Sequence, residues 1–326
     1  MSSKPPSLIA HLSQGDALAR AGRLDEAASV YQAALQGASD AQRRGVVIPP
    51  AAVGELQRVS AWLQKHLRDK AALLDLALER GGFGPGRRSA LLDETLAILR
   101  GQAPVQLQQP SKLYVPGLPQ RAFYERDEFD WAPELEARFP AIRAEAERLL
   151  ADGGGGFEAY IGAGMDRSGG TAPNAHLAGD RSWGAYHLMR NGEPVASHAS
   201  ECPQTIDALK IAPQPRIAGS GPMALFSLLR PGAHIRPHHG LFNFRLICHL
   251  PLIVPPDCAL RVGNHVRSWR EGELLIFDDS IEHEAWNQSS QLRAVLLFEI
   301  WRPEIGEKDR EALGLLVEAA RLPSED

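Results

Sequence analysis

The sequence predicts an α+β protein in which an all-α helical domain precedes a β-sandwich or β-barrel domain. Residues 1–100 are rich in Ala, Leu, Glu and Arg at helical spacing, which indicates amphipathic helices. From about residue 180 to 302, short β-type runs such as MALFSLL and AVLLFEIW are separated by Pro and Gly, a pattern typical of antiparallel strands and not of a parallel α/β sheet. The intervening residues 101–130 are rich in Pro, Gln and aromatic residues and have no helical period, as in a linker. We therefore place a helical domain at residues 1–105 and a second domain at residues 106–326.

Within the helical domain, small residues recur at offsets that resemble one tetratricopeptide repeat. The residues that carry this resemblance are Gly15, Ala17, Gly22, Ala27, Tyr31, Ala34 and Leu35. In such a repeat the small residues let two antiparallel helices approach, Gly22 makes the turn between them, and Tyr31 fills the seam. Only one repeat is clear, and a single repeat cannot bury both of its faces. The helices are therefore expected either to cap the remainder of the protein or to bind a protein partner.

The composition argues against several classes of partner. The chain has 326 residues and a formal net charge of −5, so it has no global attraction to nucleic acid or to anionic membranes. Its three cysteines form no CxxC pair, which argues against a disulfide framework and a cysteine zinc site. The first residues lack an apolar signal region, and no stretch approaches the ~20 apolar residues of a membrane helix. We expect a cytoplasmic protein that binds neither nucleic acid nor membranes.

Two histidines of the second domain are candidate metal ligands. Four of the eleven histidines fall within residues 232–249, and among them His238 stands at the end of a predicted strand. His283 follows another predicted strand, and Gly272, His283 and Asn287 match the spacing of the second cupin motif. This spacing favours a double-stranded β-helix, or jelly roll, for the domain. Cupin-like barrels bind iron, manganese, zinc or nickel, so the metal stays open at this point.

An arginine within an apolar strand indicates an anionic ligand. Arg293 lies in QLRAVLLFEIW, a run that is expected to be buried, and burial of an unpaired guanidinium is costly. The planar guanidinium suits a carboxylate, so a small dicarboxylate between Arg293 and a metal at His283 fits their spacing of ten residues. On another strand Arg245, Ile247 and His249 share one face, because side chains alternate along a strand. Arg245 and His249 are therefore candidates for contact with the same ligand.

Together these motifs resemble the aspartyl/asparaginyl β-hydroxylase family over roughly residues 120–304. The resemblance rests on the PHHG element at His238, on FDDSIEHEAWN around His283, and on the arginine ten residues after the second histidine. It implies a 2-oxoglutarate oxygenase fold in which His238 and His283 bind Fe(II). It also implies that residues of the barrel hold both carboxylates of 2-oxoglutarate, the distal one through Ser227 and Arg293 and the C1 carboxylate through Arg245 and His249.

The position two residues after the first histidine is a glycine. Most oxygenases of the wider superfamily place a carboxylate there and complete a facial triad of two histidines and one acid. This chain has Gly240, as does the family it resembles. We expect a water or another ligand in that position, and weaker retention of the metal. Asp278 and Asp279 are expected to brace the loop before His283 by hydrogen bonds rather than to bind the metal.

The resemblance implies a dioxygenase that consumes O₂ and 2-oxoglutarate and hydroxylates an Asp or Asn side chain in a peptide or protein. Relatives of this barrel also act on lipid acyl chains and small metabolites, so these substrates remain an alternative. Two further interpretations stay open, a non-catalytic cupin-like binding protein and a metal-dependent isomerase or other cupin enzyme. Retention of both histidines together with Arg293, Arg245 and His249 favours an enzyme.

Overall fold

The chain folds into a helical unit and a β-rich unit. The structure is a computed structural model that describes residues 8–43, 45, 47–151, 156–162 and 173–320. The chain divides into two compact units, Met1–Pro104 and Val105–Asp326. All candidate site residues belong to the second unit.

The helical unit begins with two helices that pack through small residues. Its helices are α1 (Leu8–Arg20), α2 (Leu24–Arg43), α3 (Pro50–Arg80) and α4 (Ala90–Leu99). Gly22 lies in the turn between α1 and α2 with a φ of 76°, a left-handed conformation that glycine adopts without strain. A Cβ atom at Gly15 would lie 2.3 Å from Cε1 of Tyr31, so the buried Tyr31 ring fills the seam only because position 15 has no side chain. These contacts agree with the expected packing of the small residues, and the assignment as a tetratricopeptide repeat stays a prediction.

The β-rich unit combines short helices with a large set of strands. Its helices are α5 (Ala132–Glu136), α6 (Phe139–Ala151), α7 (Ala196–Glu201), α8 (Pro203–Leu209) and α9 (Glu307–Ala319). The first four strands are β1 (Phe123–Tyr124), β2 (Glu158–Ala159), β3 (Trp183–Arg190) and β4 (Glu193–Pro194). The remaining strands are β5 (Ala224–Leu229), β6 (His234–His238), β7 (Arg245–Ile253), β8 (Cys258–Val262), β9 (His265–Arg267), β10 (Leu275–Phe277), β11 (His283–Asn287) and β12 (Arg293–Trp301).

Strands β5 to β12 build a double-stranded β-helix. The larger sheet has the order β1-β10-β7-β12-β5-β3-β2, with β4 beside β3, and the smaller sheet has the order β6-β11-β8-β9. The pairs among β5 to β12 are antiparallel. From β5 onward the chain alternates between the two sheets, except that β8 and β9 are neighbours in the smaller one. This winding is that of a jelly roll, and it confirms the predicted α+β fold with N-terminal helices and a C-terminal double-stranded β-helix.

Alternation along the strands of the larger sheet separates two buried layers. On β12, Leu296 and Phe298 belong to the core under the helices, whereas Val295 and Leu297 belong to the core that faces the smaller sheet. Both faces of β12 are therefore covered, which explains why the strand is apolar throughout. Since side chains alternate, Arg293 points into the barrel with Val295 and Leu297. By the same alternation β5 and β7 direct Ser227, Arg245 and His249 to that inner face.

Candidate active site

The barrel interior contains a cavity that brings together every residue predicted to bind a metal or an anion. The cavity has a volume of about 470 Å³ and is lined by strands of both sheets. The predicted residues in its lining are Ser227, His238, Arg245, His249, His283 and Arg293. The larger sheet supplies the serine, both arginines and His249, and the smaller sheet supplies the other two histidines.

Two neighbouring strands hold the histidine pair, His238 and His283, side by side. His238 ends β6, His283 begins β11, and the two are partners in the strand register, with ring centroids 4.1 Å apart. Nδ1 of His238 lies 2.8 Å from the carbonyl oxygen of Arg236, and Nδ1 of His283 lies 3.1 Å from that of Ile281. A carbonyl oxygen only accepts hydrogen bonds, so each Nδ1 carries the proton. Each Nε2 therefore keeps a lone pair that can bind a metal.

The protonation state of the histidine pair suits metal binding as well. Burial lowers the pKa of His238. Burial, together with the repulsion between two protonated rings, holds the pKa of His283 well below its ordinary value. Both rings are therefore neutral near pH 7, which is the form that coordinates metals. Within the described ranges, no three His, Cys, Asp or Glu side chains are grouped as a complete metal site. The pair thus offers two ligands, and further ligands would come from water or a bound molecule.

The carboxylate of Asp279 occupies the space beside Gly240. A Cβ atom at position 240 would lie 2.0 Å from Oδ2 of Asp279, so a side chain does not fit there without displacing the acid. The expectation that both aspartates brace the loop holds for Asp278, which accepts a hydrogen bond from the backbone of Ser280. It is wrong for Asp279, whose carboxylate lines the cavity and whose Oδ1 has no hydrogen-bond partner. The difference arises because the two consecutive side chains point to opposite sides of the loop.

Arg245 already has counter-ions within the protein. Its Nη2 lies 3.2 Å from Oδ2 of Asp279, and its Nη1 lies 3.2 Å from Oε1 of Glu299. Nε and Nη1 nevertheless make no hydrogen bond, because the N–H of Nη1 is not aligned with the nearby carboxylate. Although burial acts against the charge, these two acids raise the pKa of Arg245 above its ordinary value. Burial raises the pKa of Asp279 to about 7, against the lowering effect of Arg245.

Arg293 is a buried cation whose guanidinium makes few contacts with polar groups. The residue is 1% exposed, and its Nη1 makes only long contacts to Ser227, at 3.3 Å to the carbonyl oxygen and 3.5 Å to Oγ. Its Nε has no partner, and in the part of the chain that the structure describes no carboxylate lies within ion-pair distance of it. Burial consequently lowers the pKa of Arg293 to about 10. The sequence-based expectation of a buried, unpaired arginine agrees with this geometry.

His249 is held by a tryptophan that sequence reasoning missed. The indole N–H of Trp269 donates to Nδ1 of His249 at 3.1 Å, and the same ring lies 4.9 Å from Cζ of Arg293. Burial and the charge of Arg293 hold the pKa of His249 well below its ordinary value, so the imidazole is neutral. The surrounding sequence VRSWREGELL contains no spacing that distinguishes Trp269 from a core tryptophan.

Aromatic and apolar side chains line much of the remaining cavity, together with polar residues such as Lys112 and Arg190. Tyr160 and Trp183 stack with ring centroids 3.9 Å apart, and the Trp183 ring lies 6.3 Å from that of His238. Near the mouth, Leu241 lines the cavity and remains 40% exposed. Sequence reasoning did not single out these residues, since each lies in a separate segment and joins the site only through the fold.

A sequence model of the aspartyl/asparaginyl β-hydroxylase family matches residues 136–303, which is just over half of the chain. The chain belongs to this family. The match includes all eight strands of the barrel and every lining residue predicted from the sequence. The family is one of hydroxylases, and the predicted resemblance is thereby confirmed.

Several curated relatives in this hydroxylase family align with the chain. The ornithine lipid ester-linked acyl 2-hydroxylase of Rhizobium tropici is 36% identical over 183 residues, which cover 55% of this chain and 60% of the relative. Human aspartyl/asparaginyl β-hydroxylase is 34% identical over 132 residues, which cover 40% of this chain and 17% of the relative. The chain thus spans at most 60% of the length of these two relatives. Among the residues that the structure describes, no helix has the length and apolar character needed to cross a bilayer.

Proposed function

We propose that the protein is an Fe(II)- and 2-oxoglutarate-dependent hydroxylase. The observation that carries the proposal is the unbalanced charge of Arg293 in the same cavity as two facing histidines. A buried guanidinium without a counter-ion favours a bound carboxylate. Neutral imidazoles with free Nε2 atoms suit a divalent transition metal. A dicarboxylate whose other end is a metal-chelating 2-oxo acid, such as 2-oxoglutarate, satisfies both groups at once.

Each lining residue has a defined task in this proposal. His238 and His283 hold Fe(II) through Nε2, while Ser227 and Arg293 hold the distal carboxylate of 2-oxoglutarate. His249 contacts the C1 carboxylate. Arg245, which the sequence also predicts to contact this carboxylate, already has two acids beside it, so we assign its free N–H donors to the substrate. When bound, Fe(II) and 2-oxoglutarate supply, with O₂, the oxidising power that hydroxylates a substrate C–H bond and releases succinate and CO₂.

The substrate that we propose first is an Asp or Asn side chain in a peptide or protein. The human relative is named as an aspartyl/asparaginyl β-hydroxylase. In the cavity, Nε and Nη1 of Arg245 are donors without hydrogen-bond partners, and Oδ1 of Asp279 is an acceptor without one. A side-chain carboxyl or amide group offers oxygen acceptors for Arg245, and an amide also offers a donor for Asp279.

A lipid acyl chain is the second candidate, because apolar side chains, one of them partly exposed, line part of the cavity. Leu241 is partly exposed there, and Ile161, Met223 and Phe242 also line the cavity. An acyl chain buries apolar surface on such a lining. The relative from Rhizobium tropici is named as an acyl hydroxylase of ornithine lipid.

The cofactor is tested first. The purified protein is loaded anaerobically with Fe(II), 2-oxoglutarate is added, and the metal-to-ligand charge-transfer absorption of the chelate is recorded. We expect the band in the wild type and in a His234→Ala control, and we expect its loss in His238→Ala and Arg293→Met. His234 is a matched control because its Nε2 bonds to Glu284 at 2.7 Å, away from the cavity lining. A wild type that binds iron and gives no band would reject the proposal in favour of another cupin-like metal enzyme or a binding protein.

The substrate is tested separately by formation of succinate. One series contains peptides with a central Asp or Asn, and the other contains vesicles of an acyl amino-acid lipid. Stimulation by peptides alone supports the first candidate, and stimulation by lipid alone supports the second. We expect Leu241→Asp to reduce lipid turnover more than peptide turnover, since it places a charge among the apolar residues of the lining.

A further inference from the structure

Trp269 contacts two of the residues that the proposed function assigns to 2-oxoglutarate. It follows β9, is 4% exposed, and belongs to neither of the strands that it touches. Its Nε1–H donates to Nδ1 of His249 on β7 at 3.1 Å. The face of its indole ring lies 4.9 Å from Cζ of Arg293 on β12. One side chain thus connects two anchors that are 44 residues apart in the sequence.

The hydrogen bond determines which nitrogen of His249 carries the proton. An indole N–H can only donate, so Nδ1 of His249 is the accepting nitrogen. In a neutral imidazole the proton then resides on Nε2. His249 therefore has a single donor, Nε2–H, for an acceptor atom of a bound ligand. Without the indole, the other tautomer becomes accessible, in which Nε2 is an acceptor and repels a carboxylate oxygen.

The indole ring takes the place that a counter-ion would have beside Arg293. A carboxylate in that place would neutralise the guanidinium and compete with an incoming anion. An aromatic face attracts the cation without using its N–H groups, and Nε of Arg293 is indeed without a partner. Arg302 is the contrasting case, because its Nη1 donates to Oδ2 of Asp278 at 2.7 Å and both residues are fully buried.

We infer that Trp269 is a positioning residue for the dicarboxylate, which fixes the Nε2–H tautomer of His249 and keeps the guanidinium of Arg293 oriented but not neutralised. The part that concerns the ligand rests on the proposed function. The part that concerns the tautomer does not, since the hydrogen bond exists in the protein alone.

The tautomer is tested by ¹⁵N NMR of histidine-labelled, metal-free protein. In the wild type we expect the resonances of His249 to show a protonated Nε2 and an unprotonated Nδ1. In Trp269→Phe, which keeps a ring and loses the donor, we expect a mixture of both tautomers. Trp301→Phe is the matched control, since Trp301 is also buried beside an arginine, at 5.9 Å from Cζ of Arg310, and does not line the cavity. This control should keep the wild-type pattern.

Ligand binding is tested by calorimetry of 2-oxoglutarate with the anaerobic Fe(II) protein. We expect Trp269→Leu, which removes both the ring and the donor, to raise the dissociation constant of 2-oxoglutarate about tenfold. Trp269→Phe should raise the dissociation constant less, because a phenyl ring retains part of the cation–π attraction. Trp301→Phe should leave the dissociation constant unchanged. Circular dichroism and thermal unfolding of all variants verify that they fold.

Two results would overturn the inference. One is a His249 that keeps the Nε2–H tautomer in Trp269→Phe, and the other is a Trp269→Leu variant that binds 2-oxoglutarate as tightly as the wild type. A wild type that binds no 2-oxoglutarate is a different outcome, since it rejects the proposed function. In that event the NMR spectra alone decide whether Trp269 positions His249.

Discussion

Arg293→Met should make the ligand-free protein more stable while it abolishes the binding of 2-oxoglutarate. The guanidinium is buried and has no counter-ion among the described residues, so the folded protein carries the cost of a desolvated charge. Methionine has a similar length and no charge, so it fills the space without leaving a large cavity. A residue retained for ligand binding at the expense of stability is expected to behave in this way.

The magnitude follows from the pKa of Arg293. Burial lowers that pKa from 12.5 to about 10, and each pKa unit corresponds to about 1.4 kcal/mol, so the buried charge costs roughly 3 kcal/mol. Because the pKa lies above 7 in both the folded and the unfolded protein, the charge is present in both states and the full cost applies at pH 7. Contact with the Trp269 ring returns roughly 1 kcal/mol. The variant should therefore gain about 2 kcal/mol, or about 4–8 °C in Tm for a unit of this size.

Thermal unfolding of metal-free protein at pH 7 measures this gain, and calorimetry measures the loss of 2-oxoglutarate binding. Arg302→Met is the matched control, since Arg302 is equally buried but pairs with Asp278 at 2.7 Å. Its removal leaves a buried carboxylate unpaired and should cost about 3–5 kcal/mol. A ligand-free Arg293→Met that unfolds at a lower temperature than the wild type would refute the argument. It would mean that other groups of the folded protein already offset the cost of burying the Arg293 charge.

Three further variants test the geometry. Gly240→Ala places a Cβ atom 2.0 Å from Oδ2 of Asp279, so we expect it to displace the acid and to lower the iron retained after dialysis; retention equal to the wild type would contradict this. Burial raises the pKa of Asp279 from 3.8 to about 7, so the folded protein binds more protons than the unfolded one in that range and its unfolding free energy falls as the pH rises from 4 to 7. Urea titrations should find a smaller fall in Asp279→Asn, and an unchanged pH dependence would argue against the assignment. Gly15→Val forces a side chain onto Tyr31 and should destabilise the helical unit by roughly 1–3 kcal/mol, as followed by circular dichroism, whereas Gly54→Ala, with open space around it, should not destabilise it.

The residues that sequence reasoning found are those whose local pattern conflicts with the rest of their segment. Arg293 is a charge inside an apolar strand, and its burial follows from alternation and from the cover on both faces of β12. His238 and His283 follow predicted strands at a spacing known from cupins. Their pairing required only that the two strands be neighbours, which the jelly-roll order provides. In each case one segment, or one pair of strands, contains the information needed to predict the site residue.

The features that sequence reasoning missed depend on segments that meet only in the folded chain. Trp269 follows β9 and contacts β7 and β12, and no periodic pattern relates these three segments. Asp279 fills the space at Gly240 because two loops approach each other, with the backbone N–H of Gly240 bonded to the Asp279 carbonyl oxygen at 2.7 Å. The sequence also predicted that the charge of Arg245 is available to the ligand. The acids beside it, Asp279 and Glu299, lie outside its own strand, so the pattern of that strand does not reveal them.

The distribution of charge in the cavity bears on the choice of substrate. Arg245 has one positive charge and two acids beside it, Asp279 and Glu299, so this group has no surplus positive charge. Among the residues that the structure describes, no acid lies beside Arg293. An anion therefore gains more at Arg293, and the surroundings of Arg245 favour a neutral group that accepts from its free N–H donors. On this argument a peptide with Asn should be hydroxylated with a higher kcat/KM than the same peptide with Asp. A preference for Asp in matched peptides at pH 7 would mean that Asp279 is protonated there, so that one negative charge fewer lies beside Arg245. The preference for Asp should then weaken as the pH rises above the pKa of Asp279, about 7.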